Sequence, residues 1–521
     1  MRDLAMKGKM SRRDFVQLAV AAGSTLAGAQ ALFSSAVRAE PRKGGRFRIG
    51  VGSGATTDSL DPATWPDTFG ALLGSGVLGA CLTEVGADGS LQGDAAESFE
   101  VSKDARTWVF KLRTGAEFHD GKTFDAADAV ASLNHHRGEA SKSGAKALLK
   151  PVADIKADGK DTVVITLDSG NADFAYILSN YNLTMFPSAD GKIDWSKGVG
   201  LGPYVLEDFQ PGVKAKARRF GNYFGRTWFD EVEVLSIIDV AARSNALVTG
   251  EVDYIDRADL KTLDKILTRD NLTKSEVAGY AHYISPMNTT VAPFDDKNVR
   301  LAIKYAIDRE EIVNKILLGH GSPGADNPLA ATVPFAVQVS PVHSFDPDKA
   351  RFHLKKAGLS SLKVDLSAAD AAFPGATDTA VLMSSAAAKA GIEINVVKEP
   401  DDAYWDNVWM KKPWCMSYSA GRPTPDLMLT TFYQSGAAWN DTFWSNKKFD
   451  GLLVKARAEL DSAKRSQLYA ELQNILADDG GVIVLMFYNY VNIHDKKLAH
   501  GQVATNWDVD GLKLPKRWWF A

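Results

Sequence analysis

Asp295-Asp296-Lys297-Asn298-Val299-Arg300-Leu301-Ala302-Ile303-Lys304-Tyr305-Ala306-Ile307-Asp308-Arg309-Glu310-Glu311-Ile312-Val313 carries the clearest structural pattern in the chain. Val299, Ile303, Ala306, Ile307, Ile312 and Ile316 recur at helical spacing, which gives the segment one apolar face. Asp295 or Asp296 is placed to cap its start and Gly319 to end it. The pattern predicts one long amphipathic helix packed on a core, and by itself says nothing about function.

Around that helix, a chain of 521 residues is too long for one ordinary core, so at least two lobes are expected. A hydrophobic content of 45% with 24% charged residues is that of a soluble globular protein. A formal net charge of −4 argues against nucleic acid as a partner. Two cysteines, Cys81 and Cys415, make neither a disulfide framework nor a four-thiolate metal site. Beyond the N-terminus no run approaches the roughly 18 apolar residues of a membrane span.

The first forty residues read as an address. Arg2, Lys7 and Lys9 precede Ser11-Arg12-Arg13-Asp14-Phe15, an Ala-rich stretch to about Phe33, and Val37-Arg38-Ala39 with the small residues of a cleavage site. The paired arginines before Phe15 look like a twin-arginine export signal, the alternative being an ordinary Sec signal. Either predicts a periplasmic protein, and no cysteine near the site suggests a lipid anchor.

Local patterns alternate between strands and helices. Gly44 to Val51 reads as a first strand, Trp108 to Arg113 alternates as a half-buried strand should, and Thr162 to Leu167 is another. Val364 to Ser367 and Ile392 to Val397 flank an Ala-rich helix, which implies α/β layering. Asp461 caps a helix that Gly480-Gly481 ends, before the buried strand Val482 to Phe487. Gly74-Ser75-Gly76-Val77-Leu78-Gly79 has the spacing of a dinucleotide loop, but no clear strand precedes it and no βαβ pattern surrounds it. His119 reads as an ordered loop residue and His135-His136 as solvated or packed. No nucleophile elbow and no H-E-x-x-H run occurs.

Asn288-Thr289-Thr290, Pro293-Phe294-Asp295-Asp296, Val299-Arg300 and Ala306-Ile307-Asp308-Arg309 together resemble the central motif of bacterial extracellular solute-binding proteins of family 5, the peptide, nickel and opine receptors of ABC importers. Gly115 to Val130 and Gly200-Leu201-Gly202-Pro203-Tyr204 resemble further motifs of that family. The resemblance implies a two-lobed α/β periplasmic binding protein (type II, cluster C-like) with an extra subdomain in the first lobe. Its expected layout is a signal at 1–39, lobe I at 40–280 with the insert at about 82–200, lobe II at 281–490, and a return to lobe I at 491–521. It also implies a monomer without cofactor or catalysis. Such a protein captures a small-molecule solute, by family default a peptide, and delivers it to a permease complex in the inner membrane.

The richest stretch for a cleft is Tyr404-Trp405, Trp414 to Asp426 and Trp439-Asn440, because aromatics with amides suit a polar organic ligand. The alternative is that the chain's 12 tryptophans simply pack. With the family motif added, the candidate contacts are Trp65, Asn288, Tyr404, Trp405, Arg422, Trp439 and Asn440; Trp65 reads equally as a packing residue. Peptide binders of the family carry an aspartate for the ligand's ammonium in the loop before a Pro-Asp pair. Here Gly421-Arg422 occupies that loop, ahead of Pro425-Asp426. A guanidinium prefers carboxylate or phosphate. This favours an acidic ligand: an opine-like conjugate, a sugar phosphate, or the C-terminus of a peptide. A rim salt bridge is the other reading of Arg422. A secreted hydrolase and a heme or nickel carrier are the rival functions, and nine scattered histidines offer the latter no metal spacing.

Overall fold

The computed structural model describes residues 41–521 except Pro66, Asp402 and Ala403; the expected export signal lies outside the described residues. The deciding stretch forms two helices, not the single one expected. Lys297–Tyr305 starts at Asp296, whose side chain accepts from Asn298 N, and Arg309–Ile316 starts at Asp308, whose side chain accepts from Glu311 N. Asp308 breaks the helix because its short carboxylate caps a new first turn better than it serves a helix interior. The apolar face continues across the break, with Val299, Ile303, Ile307 and Ile312 in one core. Three cations in the stretch are buried as well. Arg300 donates to Asp479 O, Lys304 to Ala477 O and Gly480 O, and Arg309 to Val484 O. The helix pair thereby clamps the end of helix Ser462–Asp479 and the strand that follows it.

A nine-stranded mixed sheet carries the architecture. Its order is Tyr204–Gln210, Lys214–Arg219, Glu231–Ser236, Arg46–Val51, Tyr254–Ile255, Val482–Asp495, Leu272–Pro286 and Ser417–Ser419, with Gly321–Pro323 also against Val482–Asp495. Arg46–Val51 is parallel to both neighbours, and the two long strands are antiparallel to each other. Those two have 15 and 14 residues, roughly 50 Å at the usual rise, so one pair serves two cores. At one end Leu272, Val491 and Ile493 pack with Leu247 and Ile266; at the other Ile284, Val482 and Val484 pack with Leu429, Phe449 and Leu472. Between them the register slips from Ala278 to His282, where Gly279 lets the Tyr488 carbonyl approach: a Cβ there would lie 2.8 Å from it. Two lobes joined by a shared, locally loosened strand pair are the expected two-lobed fold, and such a joint can bend.

A separate antiparallel sheet, Ala96–Val101, Thr107–Leu112, Thr162–Leu167 and Val152–Ala157, packs on helix Ala126–His135 around Trp108, Phe110, Leu133, Val163 and Ile165. The alternation decides its faces: Trp108, Phe110 and Leu112 are buried and Lys111 is exposed. Leu362–Ala368 and Ile392–Lys398 pair in parallel around helix Ala376–Ala388, a βαβ unit. Among the described residues no helix is long and apolar enough to cross a membrane. Cys81 and Cys415 are free and buried.

The glycine-rich run at 74–79 is explained by packing. Leu72–Leu78 is a wide π-type helix, and a Cβ on Gly74 would lie 2.1 Å from the Trp65 ring. Gly74→Ala is expected to cost about 1–3 kcal/mol through overpacking. Urea unfolding checks it: the midpoint falls at constant slope, and an unmoved midpoint means that Trp65 is not wedged there.

Candidate ligand-binding cleft

Four distant segments build one wall. After the first strand, Ser53 Oγ accepts from Phe69 N at 3.0 Å and fixes helix Thr68–Ala71, whose N-cap is Asp67. Thr68 Oγ1 accepts from Arg257 Nη2, and Arg257 Nε donates to Asp508 Oδ2, both at 3.2 Å. Next to Asp508, Trp507 meets Tyr181 edge-on with centroids 5.6 Å apart. The backbone is left-handed at Arg257 (φ 45°), Val509 (47°), Asp510 (57°) and Leu512 (63°), conformations that cost energy in L-residues and cluster at functional sites. Beneath this wall Asp256 accepts from Gly52 N, and burial with the nearby Asp508 charge pushes its carboxyl up to about 6.

A second set of side chains is aromatic. Tyr283 lies between Phe373 (4.0 Å, 9°) and Tyr488 (4.8 Å, 24°), and Trp405 stands edge-on to Tyr418 at 5.5 Å. Burial raises the Tyr488 phenol and Arg257 opposes the rise; burial raises the Tyr181 phenol and Arg422 opposes that one.

Arg422 is the charged centre of the aromatic wall. Its Nη1 donates to Ala420 O (2.9 Å) and Gly421 O (3.1 Å), and its plane lies 5.2 Å above Phe432. Nε and Nη2 make no protein hydrogen bond and no carboxylate pairs with the group, among the described residues. Burial lowers its pKa from the ordinary arginine value. The rim salt bridge therefore has no partner here. Gly421 explains why the turn carries no acid of its own: a Cβ there would lie 2.1 Å from Tyr280 Cβ. Arg422 is the side chain this turn can present.

The other sequence candidates divide. Trp405 and Trp439 are 38% and 49% exposed, and Trp439 lies against Phe432, the ring under Arg422. Trp65 is buried, with its indole N–H donating to Ser59 O. Tyr404 is buried and donates to Met416 O. Asn440 is buried in its own loop, donating to Gln434 O and Trp444 O. Asn288 accepts from Thr290 N and Oγ1, an Asx turn that shapes the motif. These four hold structure, and the geometry brings Trp405, Arg422 and Trp439 to one region. Sequence reasoning missed Asp67, Tyr181, Arg257, Tyr283, Tyr488 and Trp507. The run of left-handed residues near Trp507 has no readable signal, because none of its members is glycine except Gly511. His119 is an ordered loop residue as expected, accepting from Gly200 N and bonded to Gly202 O. Likewise His136 is buried against Ser143.

A cavity of about 460 Å³ lies elsewhere, lined by Asp308, Arg309, Gly324, His343 and Phe345. Arg309 there spends its donors on Val484, Lys304, His343 and Asp326. Among the described residues no three His, Cys, Asp or Glu side chains converge to hold a metal ion.

Asp441, beside the Trp439 loop, accepts from Trp409 Nε1 at 3.0 Å, and burial pushes its carboxyl up to about 7. The folded state thus holds a proton that the unfolded chain, with an ordinary pKa of about 3.9, releases. Its contribution is fully present below pH 4 and is lost as pH rises to 7. Asp441→Asn is expected to flatten the loss of stability between pH 4 and 7, a slope of up to about 1.4 kcal/mol per pH unit. Denaturation midpoints across that range check it, and parallel pH profiles for both proteins would contradict it.

The fold and its joint suit a receptor, and comparison with known proteins decides which kind. Residues 90–443 match the family model described as bacterial extracellular solute-binding proteins, family 5 Middle. The chain belongs to that family. Among relatives of this family 5 protein, the glutathione-binding protein GsiB of Escherichia coli O6:K15:H31 (strain 536) is 28% identical over 480 residues, covering 87% of this chain and 90% of GsiB. The periplasmic binding protein DppA of Helicobacter pylori, solved with peptide STSA, superposes with a TM-score of 0.75 at 22% identity, covering 92% of this chain and 99% of DppA. AgaA of A. tumefaciens R10, solved with agropinic acid, gives 0.74 at 24% identity, covering 91% and 98%. The family 5 protein is a solute-binding protein.

Proposed function

We propose that this protein is the periplasmic receptor of an ABC importer for short peptides or peptide-like acidic conjugates. It binds without catalysing, as a monomer, and hands its solute to an inner-membrane permease. The proposal includes export by the twin-arginine-type signal at 1–39. Lobe I comprises 40–280, with its insert at about 82–200, and 491–521; lobe II comprises 281–490. The observation that carries the ligand class is Arg422, a guanidinium with free donors and no carboxylate partner among the described residues. A charge in that state is stabilised by an incoming carboxylate. Trp405, Trp439 and the Tyr283–Tyr488 stack give the same region apolar walls. The similar proteins point the same way, being named for glutathione, a peptide and agropinic acid. The second reading, a non-peptide anion such as a sugar phosphate, rests on the same arginine.

Titration calorimetry with di- and tripeptides, glutathione and glucose 6-phosphate tests the proposal, with small-angle scattering to follow lobe closure. Peptide-type binding with a smaller radius of gyration is expected. Binding of the sugar phosphate alone moves the assignment to the second reading, and an inert panel overturns both.

A further inference from the structure

The separate antiparallel sheet reaches across to the core at the far end of the long strands. After its strand Thr162–Leu167 the chain passes through Gly170 to Asp173 and enters helix Phe174–Ile177. Phe174 returns to the sheet's own core, beside Trp108. The residues in between face the helices that carry Phe449 and Leu472. Ala172 N donates to Arg457 O at 2.8 Å. The Asp173 carboxylate pairs with Arg465 Nη2, and both side chains are buried. A Cβ on Gly170 would lie 3.3 Å from Ala458 Cβ, and Leu427 packs on the sheet's core from helix Pro425–Phe432. The partners are themselves fixed. Arg457 Nε donates to Asp426 Oδ1 and Nη2 to Thr430 Oγ1, while Arg465 lies over the Phe335 and Tyr469 rings at 5.3 and 5.5 Å. On its other side the same subdomain is tied to the core of the first strand. Lys516 Nζ donates to Glu84 Oε2 and Asp94 Oδ1, and Arg517 Nη2 to Val85 O, next to the buried Trp518.

The chain joins the two cores through the long strand pair, whose register slips from Ala278 to His282. The contact at Asp173 is a second bridge between them, and it is not covalent. A bend at the joint therefore carries its two halves apart. Opening returns both charges to water; closing buries them, which a protein tolerates only while they stay paired. Resting on the receptor reading above, we propose that Asp173 and Arg465, with the Ala172–Arg457 hydrogen bond, form a latch made only in the closed receptor. They are positioning residues, acting on the solute through the open–closed equilibrium. Whatever favours the closed form raises the affinity for every solute that binds it, by one common factor.

The test breaks the pair and then removes it. Reduced glutathione and trialanine are titrated calorimetrically into the native protein, Asp173→Asn, Arg465→Met and the double variant Asp173→Leu with Arg465→Met. Asp173 makes no side-chain cap on helix Phe174–Ile177, so asparagine leaves that helix its start. Each single variant strands one charge on closing, and is expected to weaken both solutes by the same factor, about ten- to hundred-fold. The double variant strands none and should recover most of the loss. Hydrogen exchange separates a latch from a permanent strut. In the native protein, saturation with the tighter probe should slow exchange in the segment 168–173, and in Asp173→Asn it should do so much less. Unchanged affinity in both single variants, a loss that falls on one solute and spares the other, a double variant no better than the singles, or equal protection of 168–173 with and without solute each overturns the latch and leaves the receptor reading standing. If neither probe binds the native protein, the receptor reading falls and this inference falls with it.

Discussion

Asp326→Asn lowers the unfolding free energy by about 3–5 kcal/mol, the cost of leaving a buried charge without its partner. Asp326 is fully buried and accepts from Arg309 Nη2 at 2.7 Å, His343 Nδ1 at 2.8 Å and Val484 N at 3.1 Å. Arg309 is itself buried, so asparagine leaves its guanidinium without a counter-charge. Lys304, brought down to about 8 by burial, also loses a nearby anion. The effect depends on pH. Burial opposes ionisation of Asp326, but the surrounding cations hold its carboxyl down at about 2. A carboxyl depressed from an unfolded value of about 3.9 contributes stability that is present above pH 4 and lost as pH falls toward 2. The native protein should therefore lose stability on acidification through that window, and Asp326→Asn should lose less. Urea denaturation at pH 7 and pH 3 measures both. Equal stability of the two proteins at pH 7 would mean that the Arg309 helix is not held this way.

Arg422→Ala should weaken an acidic solute by about 1.5–3 kcal/mol, roughly ten- to hundred-fold, while leaving the fold intact. The fold is spared because the side chain's protein bonds go to carbonyls of its own turn, Ala420 and Gly421. Those carbonyls can turn to water. The bound state is not spared, because the solute's carboxylate loses its charge partner. Calorimetry with the tightest peptide reads the affinity, and a thermal melt without ligand reads the fold. Unchanged affinity would remove Arg422 from the site.

Much of the fold was legible because the segments that build it are local. Alternation at Trp108–Leu112, capping at Asp461 and the Ala-rich crossover at Ala376–Ala388 each declare themselves within a dozen residues. The single long helix was misread because an N-cap inside a periodic run leaves the apolar spacing intact across Asp308. The site was less legible for a different reason. Composition marks aromatics and amides as cleft material, but Trp65, Tyr404 and Asn440 spend their polar atoms on nearby backbone. The contacts that the fold does assemble, Arg257 with Thr68 and Asp508 and Tyr181 with Trp507, join segments far apart in sequence. Arg422 was readable since its turn follows a recognisable pattern. That Gly421 bars any other side chain there could be seen only against Tyr280.

We propose that this two-lobed protein closes on a solute bearing a carboxylate. Mass spectrometry of the small molecule released on denaturing protein purified from its own periplasm tests it most directly. A peptide or an amino-acid conjugate with a free carboxylate is expected, present in the native protein and depleted in Arg422→Ala. Release of a molecule without any acidic group, equally abundant in both proteins, would contradict it.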